Sequence, residues 1–374
     1  MSHNVMLVPT GKASGIFTAS LGLVKALNNN GVKAALFRPF FDCCNKECSD
    51  VSLNKFCAAG KIAEGKRTEV LERIVANFNN LAKENYDVVV IEGVQNAPFN
   101  SDEMNADICH AFDADIITLV SGKCGCAAKA LKSTLLYFGN AGKNKHLGSI
   151  LINHNAPRDA QGCIKLILSG TAEGDSCCSH RDVVENVLVT VDYDVRYYAP
   201  TAADLAAYLN TEVASGDDKA LAYELTLDNS RVNENSVLLT GSLPASTSAK
   251  IVILTDGAKG ELPGVTVIST DETLWATAQA LSQMEPVLCD CKDRISLIEN
   301  SVAKAFDQNA LDTIRKFDAG KTALMSPAAF RSKLTALARA AHKKIALPEG
   351  DEPRTVCAAA KVAEIGRASC RERV

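Results

Sequence analysis

A chain of 374 residues with 47% hydrophobic side chains and a formal charge of −4 is long enough for two or three domains with real cores. Its charge leaves no basic footprint for nucleic acid, and it has no run of about 18 apolar residues that would mark a membrane span. The amino terminus, Met1-Ser2-His3-Asn4-Val5, lacks the basic region and long apolar core of a secretion signal, so a cytoplasmic protein is expected. Fourteen cysteines scattered through such a chain read as reduced thiols rather than a disulfide framework. Cys43-Cys44 with Cys48 and Cys57, Cys124 with Cys126, and Cys289 with Cys291 all lack the paired C-x-x-C spacing that brings two thiolates to one tetrahedral metal. No metal site is expected.

From Met1 to about Leu209 strands and helices alternate. Apolar strand candidates are Val5–Val8, Ala34–Phe37, Val88–Ile91, Ile116–Val120, Ser149–Ile152 and Val187–Val191, with helices over Thr18–Asn28, Glu69–Lys83, Ala127–Phe138 and Ala202–Leu209. Short apolar runs separated by amphipathic helices predict a doubly wound, mostly parallel sheet, P-loop-like in outline and assigned to residues 1–213. Ala214 to Lys219 reads as a polar linker. A smaller α/β domain is expected over 220–307, with strands Val237–Thr240, Ile251–Leu254 and Val265–Ile268 and helices Leu274–Ser282 and Arg294–Phe306. Asp256, in Thr255-Asp256-Gly257, reads as a turn residue. A charged linker is expected at 308–325. Ser326-Pro327 then opens a helix, with serine as N-cap and proline in the first turn.

The first strand runs into Pro9-Thr10-Gly11-Lys12-Ala13-Ser14-Gly15-Ile16-Phe17-Thr18, a glycine-bearing loop before a helix. Such loops hold phosphates on inward-pointing N–H groups, aided by the helix dipole. The phosphoryl-transfer version needs a lysine directly after the second glycine, where this chain has Ile16. Without it, charge developing on a transferred phosphoryl group loses its main counter-charge. Glu92 closes the buried run Asp87–Ile91, the place from which an acid reaches Mg²⁺ through the loop. Gly11, Lys12, Gly15, Thr18 and Glu92 therefore outline a degenerate pocket for a nucleotide or other effector, structural or regulatory rather than an active NTPase. Asn153-His154-Asn155 follows another strand on the same sheet edge, with His154 read as a surface loop histidine.

Near the end, Lys343 to Val356 runs as an apolar strand, a Pro348-Glu349-Gly350 turn, and a helix start at Pro353 behind Asp351 and Glu352. Proline is pre-organised for that position, and the helix dipole favours the acids. This reads as the first strand–helix unit of a further α/β domain over 326–364. Ile365 to Val374 breaks its apolar face and matches a common sequencing-library adapter translated in one frame. It is read as an artefact and kept out of the fold.

These residues carry a resemblance. Leu347-Pro348-Glu349-Gly350-Asp351-Glu352-Pro353-Arg354-Thr355 resembles the start of the catalytic domain of phosphate acetyltransferases. Met6–Gly11, Ser20–Leu23, Ile74–Asn77, Val90–Gly93, and Asn153 with Asn155-Ala156-Pro157 resemble the long, multidomain form of that enzyme. The resemblance implies a dethiobiotin-synthetase-like P-loop domain, then a diverged DRTGG-like domain whose naming motif is not readable here, then the catalytic domain. It implies reversible acetyl transfer between acetyl-CoA and phosphate, giving acetyl phosphate and coenzyme A, with no cofactor and no nucleic-acid or membrane partner. A full-length member is expected to be a homo-oligomer. The family's phosphate-holding arginine and its serine and aspartate near the thiol belong to segments beyond Glu364, so no catalytic residue is assigned. This stretch is expected to be the amino-terminal regulatory part, inactive alone. Arg354, the basic residue of the matching loop, is expected in a salt bridge to Glu349 or Asp351. The rival readings are an ATP-dependent ligase of the dethiobiotin synthetase type built on residues 1–209, and a non-catalytic metabolite-sensing module.

Overall fold

Buried parallel strands need apolar side chains on both faces, and the first region supplies them. The computed structural model describes residues 2–11, 15–41, 53–82, 84–121, 125–138, 145–156, 184–282, 284, 292–315, 326–341 and 352–364. Strands β1 (His3–Pro9), β2 (Ala34–Phe37), the short pair β3 (Phe40–Phe41) and β4 (Leu53–Asn54), then β5 (Val88–Glu92), β6 (Asp115–Ser121), β7 (His146–His154) and β8 (Val187–Asp192) belong to this region. Six of them form one parallel sheet in the order β2-β5-β1-β6-β7-β8. Its helices are α1 (Ile16–Asn29), α2 (Lys55–Ala63), α3 (Arg67–Ala82), α4 (Ser101–Phe112) and α5 (Gly125–Tyr137).

Alternation along β1 divides the core. Val5 and Leu7 face α1, while Met6 and Val8 face the layer of α3 and α4. Each fully buried aliphatic side chain of this kind contributes roughly 1.5–3 kcal/mol. The second layer is keyed by aromatics: Phe37 meets Phe78 edge-on at 5.2 Å, and Phe78 stacks on Phe112 at 4.2 Å. Helix α4, absent from the sequence reading, places Met104, Ile108 and Phe112 on this face at four-residue spacing. It is opened by Asn100, whose side chain accepts from the Glu103 N–H at 3.2 Å.

The second region holds α6 (Ala202–Tyr208), β9 (Val213–Ser215), β10 (Glu224–Thr226), β11 (Ser236–Thr240), β12 (Ile251–Leu254), β13 (Thr266–Ser269) and α7 (Leu274–Ser282). Its sheet runs β10-β11-β12-β13-β9, parallel except for β9 at one edge. Two placements differ from their neighbours in sequence. Helix α6, expected with the first domain, buries Ala202, Leu205 and Ala206 in the core of the second sheet. The interval read as a linker begins with β9, which pairs with β13 through Ser215–Val267 and Val213–Ile268.

The chain then returns. Helices α8 (Lys292–Val302) and α9 (Gln308–Arg315) bury Ile298, Val302, Ala310, Leu311 and Ile314 in the core that α1 shares with the first sheet. The start of the expected 308–325 linker is thus a helix with a buried face; 316–325 lies outside the described residues. Close approach of α8 to α1 depends on Gly22, where a Cβ would collide with Val302. Helix α10 (Pro327–Ala340) is capped by Ser326, which accepts from the Ala329 N–H at 3.1 Å. Its Ala328 enters the α3–α4 layer, and Arg331 pairs with Glu72. Helix α11 (Pro353–Glu364) starts on the expected proline. Arg354 is exposed and lies 3.6 Å from Glu352; Glu349 and Asp351 fall outside the described residues, as do 342–348 and the carboxyl-terminal 365–374. No helix among the described residues is long and apolar enough to cross a membrane.

Candidate functional site

Ligands of open parallel sheets bind outside the carboxyl ends of the strands, where neighbouring connections diverge. Here β1 sits between β5 and β6, and the connection leaving β1 is the glycine loop. Thr10 anchors its start, since its N–H and its hydroxyl both donate to the Leu119 carbonyl at 2.9 Å. Gly11 has φ +56° and Gly15 has φ +92°, left-handed values that favour glycine. Lys12 lies outside the described residues. Gly15 is the N-cap of α1 and supplies no side-chain cap, so the positive end of the helix dipole falls at the end of the glycine loop.

Glu92 ends β5, opposite Leu7 of β1, so it shares the carboxyl edge with the loop. Its carboxylate is buried and accepts from the Arg38 guanidinium at 3.1 Å. Arg38 follows β2 directly, is about one-third exposed, and lies 4.2 Å from the centroid of Phe17 in the first turn of α1. Stacking and a charge-assisted hydrogen bond together fix the guanidinium between the helix start and Glu92. Lys55, almost fully buried, donates to the Gln95 carbonyl at 2.8 Å, just past the end of β5. That stretch is held by Asn105, which accepts from the Val94 N–H at 2.7 Å and donates to the Val94 carbonyl at 2.9 Å.

Under the loop lies a buried polar cluster. Thr18 and Tyr198 have almost no exposed surface, and neither hydroxyl has a hydrogen-bond partner among the described residues. Burial pushes the pKa of the Tyr198 hydroxyl up, and the Thr18 and Asn153 side chains, near enough to interact with it, oppose the shift. Neither of the two reaches it with hydrogen-bonding geometry. Tyr193 stacks on Tyr198 at 5.8 Å, and its own hydroxyl is pushed up to about 12 by burial, with Asp194 adding to the shift. Asn153, at φ +55°, closes β7 and brings its amide nitrogen to 3.4 Å from the position a Gly15 Cβ would take. His154 clamps the ends of β7 and β8 instead, with Nδ1 2.8 Å from Asp192 Oδ1.

Of the residues expected at the site, Gly11, Gly15, Thr18 and Glu92 come to one edge, though Thr18 faces inward under the loop. Arg38, Lys55 and Tyr198 were not anticipated. For Arg38 the signal was there: a cation at the carboxyl end of a strand in Phe37-Arg38-Pro39. Tyr198 gave none, because the chain carries it in from beyond β8. Ile16, which stands where the phosphoryl-transfer lysine would be, is packed into the core and presents nothing to a ligand. Arg38 engages only Oε1 of Glu92; the second carboxylate oxygen is buried without a hydrogen-bond partner among the described residues. Among the described residues no group of His, Cys, Asp and Glu is placed to hold a metal ion. Cys57 is exposed; Cys43, Cys44, Cys48, Cys124, Cys289 and Cys291 lie outside the described residues.

A parallel α/β sheet with a glycine loop between its first strand and first helix defines a P-loop-like class of domain. The family described as an AAA domain matches residues 3–194, more than half the chain, and the chain belongs to that family. Curated relatives extend the likeness to nearly all of it. The phosphate acetyltransferase of Haemophilus influenzae is 28% identical, with 99% of this chain and 61% of that protein aligned. Those of Escherichia coli and Acinetobacter baylyi are each 26% identical, covering 99% and 98% of this chain and 60% of the relative. The chain therefore spans about three-fifths of the length of the curated relatives it matches. Among solved structures, the septum site-determining protein MinD of Pyrococcus horikoshii, complexed with Mg-ADP, matches at 15% identity and a TM-score of 0.33. That match covers 53% of this chain and 84% of MinD, and is too remote to bear on the site.

Proposed function

We propose that the chain is the amino-terminal, regulatory part of a phosphate acetyltransferase, the enzyme that converts acetyl-CoA and phosphate to acetyl phosphate and coenzyme A. The carrying observation is alignment of 97–99% of the chain with relatives of that one name, at 59–61% of their length. In this reading the first sheet is the dethiobiotin-synthetase-like domain, the second is the DRTGG-like domain, and 326–364 begins the catalytic domain. The arginine, serine and aspartate of the reaction lie past Glu364, and the full-length enzyme is a cytoplasmic homo-oligomer. Purified chain should give no coenzyme A release from acetyl-CoA and phosphate above a buffer control. Turnover by the chain alone would overturn the assignment of these residues to regulation.

The glycine loop is read as the effector pocket, formed by Gly11, Lys12, Gly15, Thr18 and Glu92 with Arg38 and Lys55. The positive end of the α1 dipole and the guanidinium of Arg38 favour a small anion. Ile16 in place of lysine disfavours phosphoryl transfer, and the guanidinium of Arg38 already supplies one counter-charge at Glu92, so in this reading the anion is bound without Mg²⁺ and is not turned over. Calorimetric titration with inorganic phosphate and with ATP, each with EDTA and with Mg²⁺, tests this. Binding that survives EDTA and weakens about tenfold or more in Arg38→Ala supports the reading. Strict dependence on Mg²⁺, or hydrolysis of ATP, opposes it.

A further inference from the structure

We infer that Tyr198 is a relay that ties the backbone at Gly15, the N-cap of α1, to the placement of the second sheet, so that an occupant at the start of α1 is read by the second domain. The biological sense of this rests on the effector reading above; the structural coupling does not.

The relay begins at Gly15. Its backbone is left-handed, and the position of its missing Cβ is filled by the Tyr198 hydroxyl, with Ile152 Cγ1 at 3.0 Å and Asn153 Nδ2 at 3.4 Å. Movement of Gly15 toward its neighbours therefore moves Tyr198. The hydroxyls of Tyr198 and Thr18 are both buried and both unsatisfied, which is a costly arrangement. A small shift of the ring would bring its hydroxyl into hydrogen-bonding reach of Thr18 or Asn153, the two side chains that already act on it.

The far end of the relay is equally fixed. Only Ala199 and Pro200 separate Tyr198 from Thr201, and proline removes one backbone freedom. The Ala199 carbonyl accepts from Arg294 at 2.6 Å, and the same guanidinium lies 3.4 Å from Asp204. Asp204 and Thr201 form the reciprocal capping box of α6: the Thr201 N–H donates to Asp204 at 2.8 Å and the Asp204 N–H to the Thr201 hydroxyl at 3.1 Å. Arg294 is buried on α8, which packs against α1, the helix that Gly15 caps. Helix α6 is in turn part of the second core. A displacement at Tyr198 has no slack segment in which to be absorbed before it reaches α6.

Hydrogen exchange on the full chain, read by mass spectrometry, tests the relay from both ends. Gly15→Ala should speed exchange in the first turn of α1 and, by about fivefold or more, over 201–215. In a Tyr198→Phe background, which removes the obstructing hydroxyl and keeps the ring, the effect on 201–215 should vanish while that on α1 persists from backbone strain. From the other end, Arg294→Lys should speed exchange in the first turn of α1 as well as in α6, because coupling is reciprocal. An unchanged 201–215 in Gly15→Ala, or an equal change in both backgrounds, overturns the relay. So does an Arg294→Lys effect confined to α6, which decides the matter should Gly15→Ala fail to fold. Titration of inorganic phosphate into the unsubstituted chain, scored separately by binding heat, reports on the effector reading alone.

Discussion

The two sheets of this chain are built alike and finished differently. Both are largely parallel, with continuous apolar strands such as Val88–Ile91 and Ile251–Leu254 at their centres. At the carboxyl edge of the second sheet most turns close on themselves, although Asp256 is left-handed at φ +57° and the buried Ser269 hydroxyl has no hydrogen-bond partner among the described residues. Thr255 donates to Asp256 at 2.8 Å, and Thr240 exchanges hydrogen bonds with Ser242. At the same edge of the first sheet, Gly15 and Asn153 are left-handed, Thr18 and Tyr198 are unsatisfied, and a buried carboxylate faces a half-buried guanidinium. What distinguishes the first edge is a buried carboxylate paired with a guanidinium at a strand switch point, the setting of the candidate site.

The sharpest way to break this comparison is to truncate each core in turn. Ile91→Ala and Ile253→Ala should each cost about 2–5 kcal/mol in denaturant unfolding. Because α8 and α9 lead the chain from the second sheet back onto the first, both substitutions should lower the same transition. Two separate midpoints, each moved by one substitution, would show instead that the sheets are independent units. A smaller effect is expected where the returning helix touches α1. Gly22→Ala should cost about 1–3 kcal/mol by overpacking against Val302, and should cost less when introduced into a Val302→Ala background. An equal cost of Gly22→Ala in both backgrounds would refute that close approach.

At the junction itself, Thr201→Ala removes the cap of α6 and should cost about 1 kcal/mol. Asn100→Ala, at the cap of α4 inside the first region, is the matched control, and only Thr201→Ala should loosen 201–215 in hydrogen exchange. The mildest test is alkaline titration. Tyr193 is pushed up to about 12 by burial, and Tyr198 is pushed up for the same reason. A tyrosine whose folded pKa is raised contributes stability that is complete below its unfolded value near 10. That stability is lost as pH climbs through the folded value. Stability should therefore fall between about pH 10 and 12, with the phenolate absorbance of these two rings appearing only as the chain unfolds. Ionisation without unfolding would place the tyrosine cluster nearer solvent.

Much of the fold was legible because parallel strands buried on both faces leave unmistakable apolar runs. The six strands of the first sheet stand where the runs Val5–Val8, Ala34–Phe37, Val88–Ile91, Ile116–Val120, Ser149–Ile152 and Val187–Val191 put them. Helix α4 was not read, since Asp102, Glu103, Asn105 and Asp107 dilute the periodicity of Met104, Ile108 and Phe112. At the site, Gly11, Gly15 and Glu92 were legible from local chemistry alone. The Arg38–Glu92 pair was not, because the partners are 54 positions apart and meet only through the strand order β2-β5-β1.

By itself the sequence determined the local matters: which segments are strands, where the glycine loop falls, and that Ile16 stands in the lysine position. Each of these depends on a residue and its near neighbours, through periodicity, backbone preference or side-chain type. Only the tertiary structure decided that α6 belongs to the second core, that α8 and α9 return to the first, and that Tyr198 closes the space beneath Gly15. These depend on which apolar faces find one another, and short helices such as α6 and α9 look much the same whichever sheet receives them.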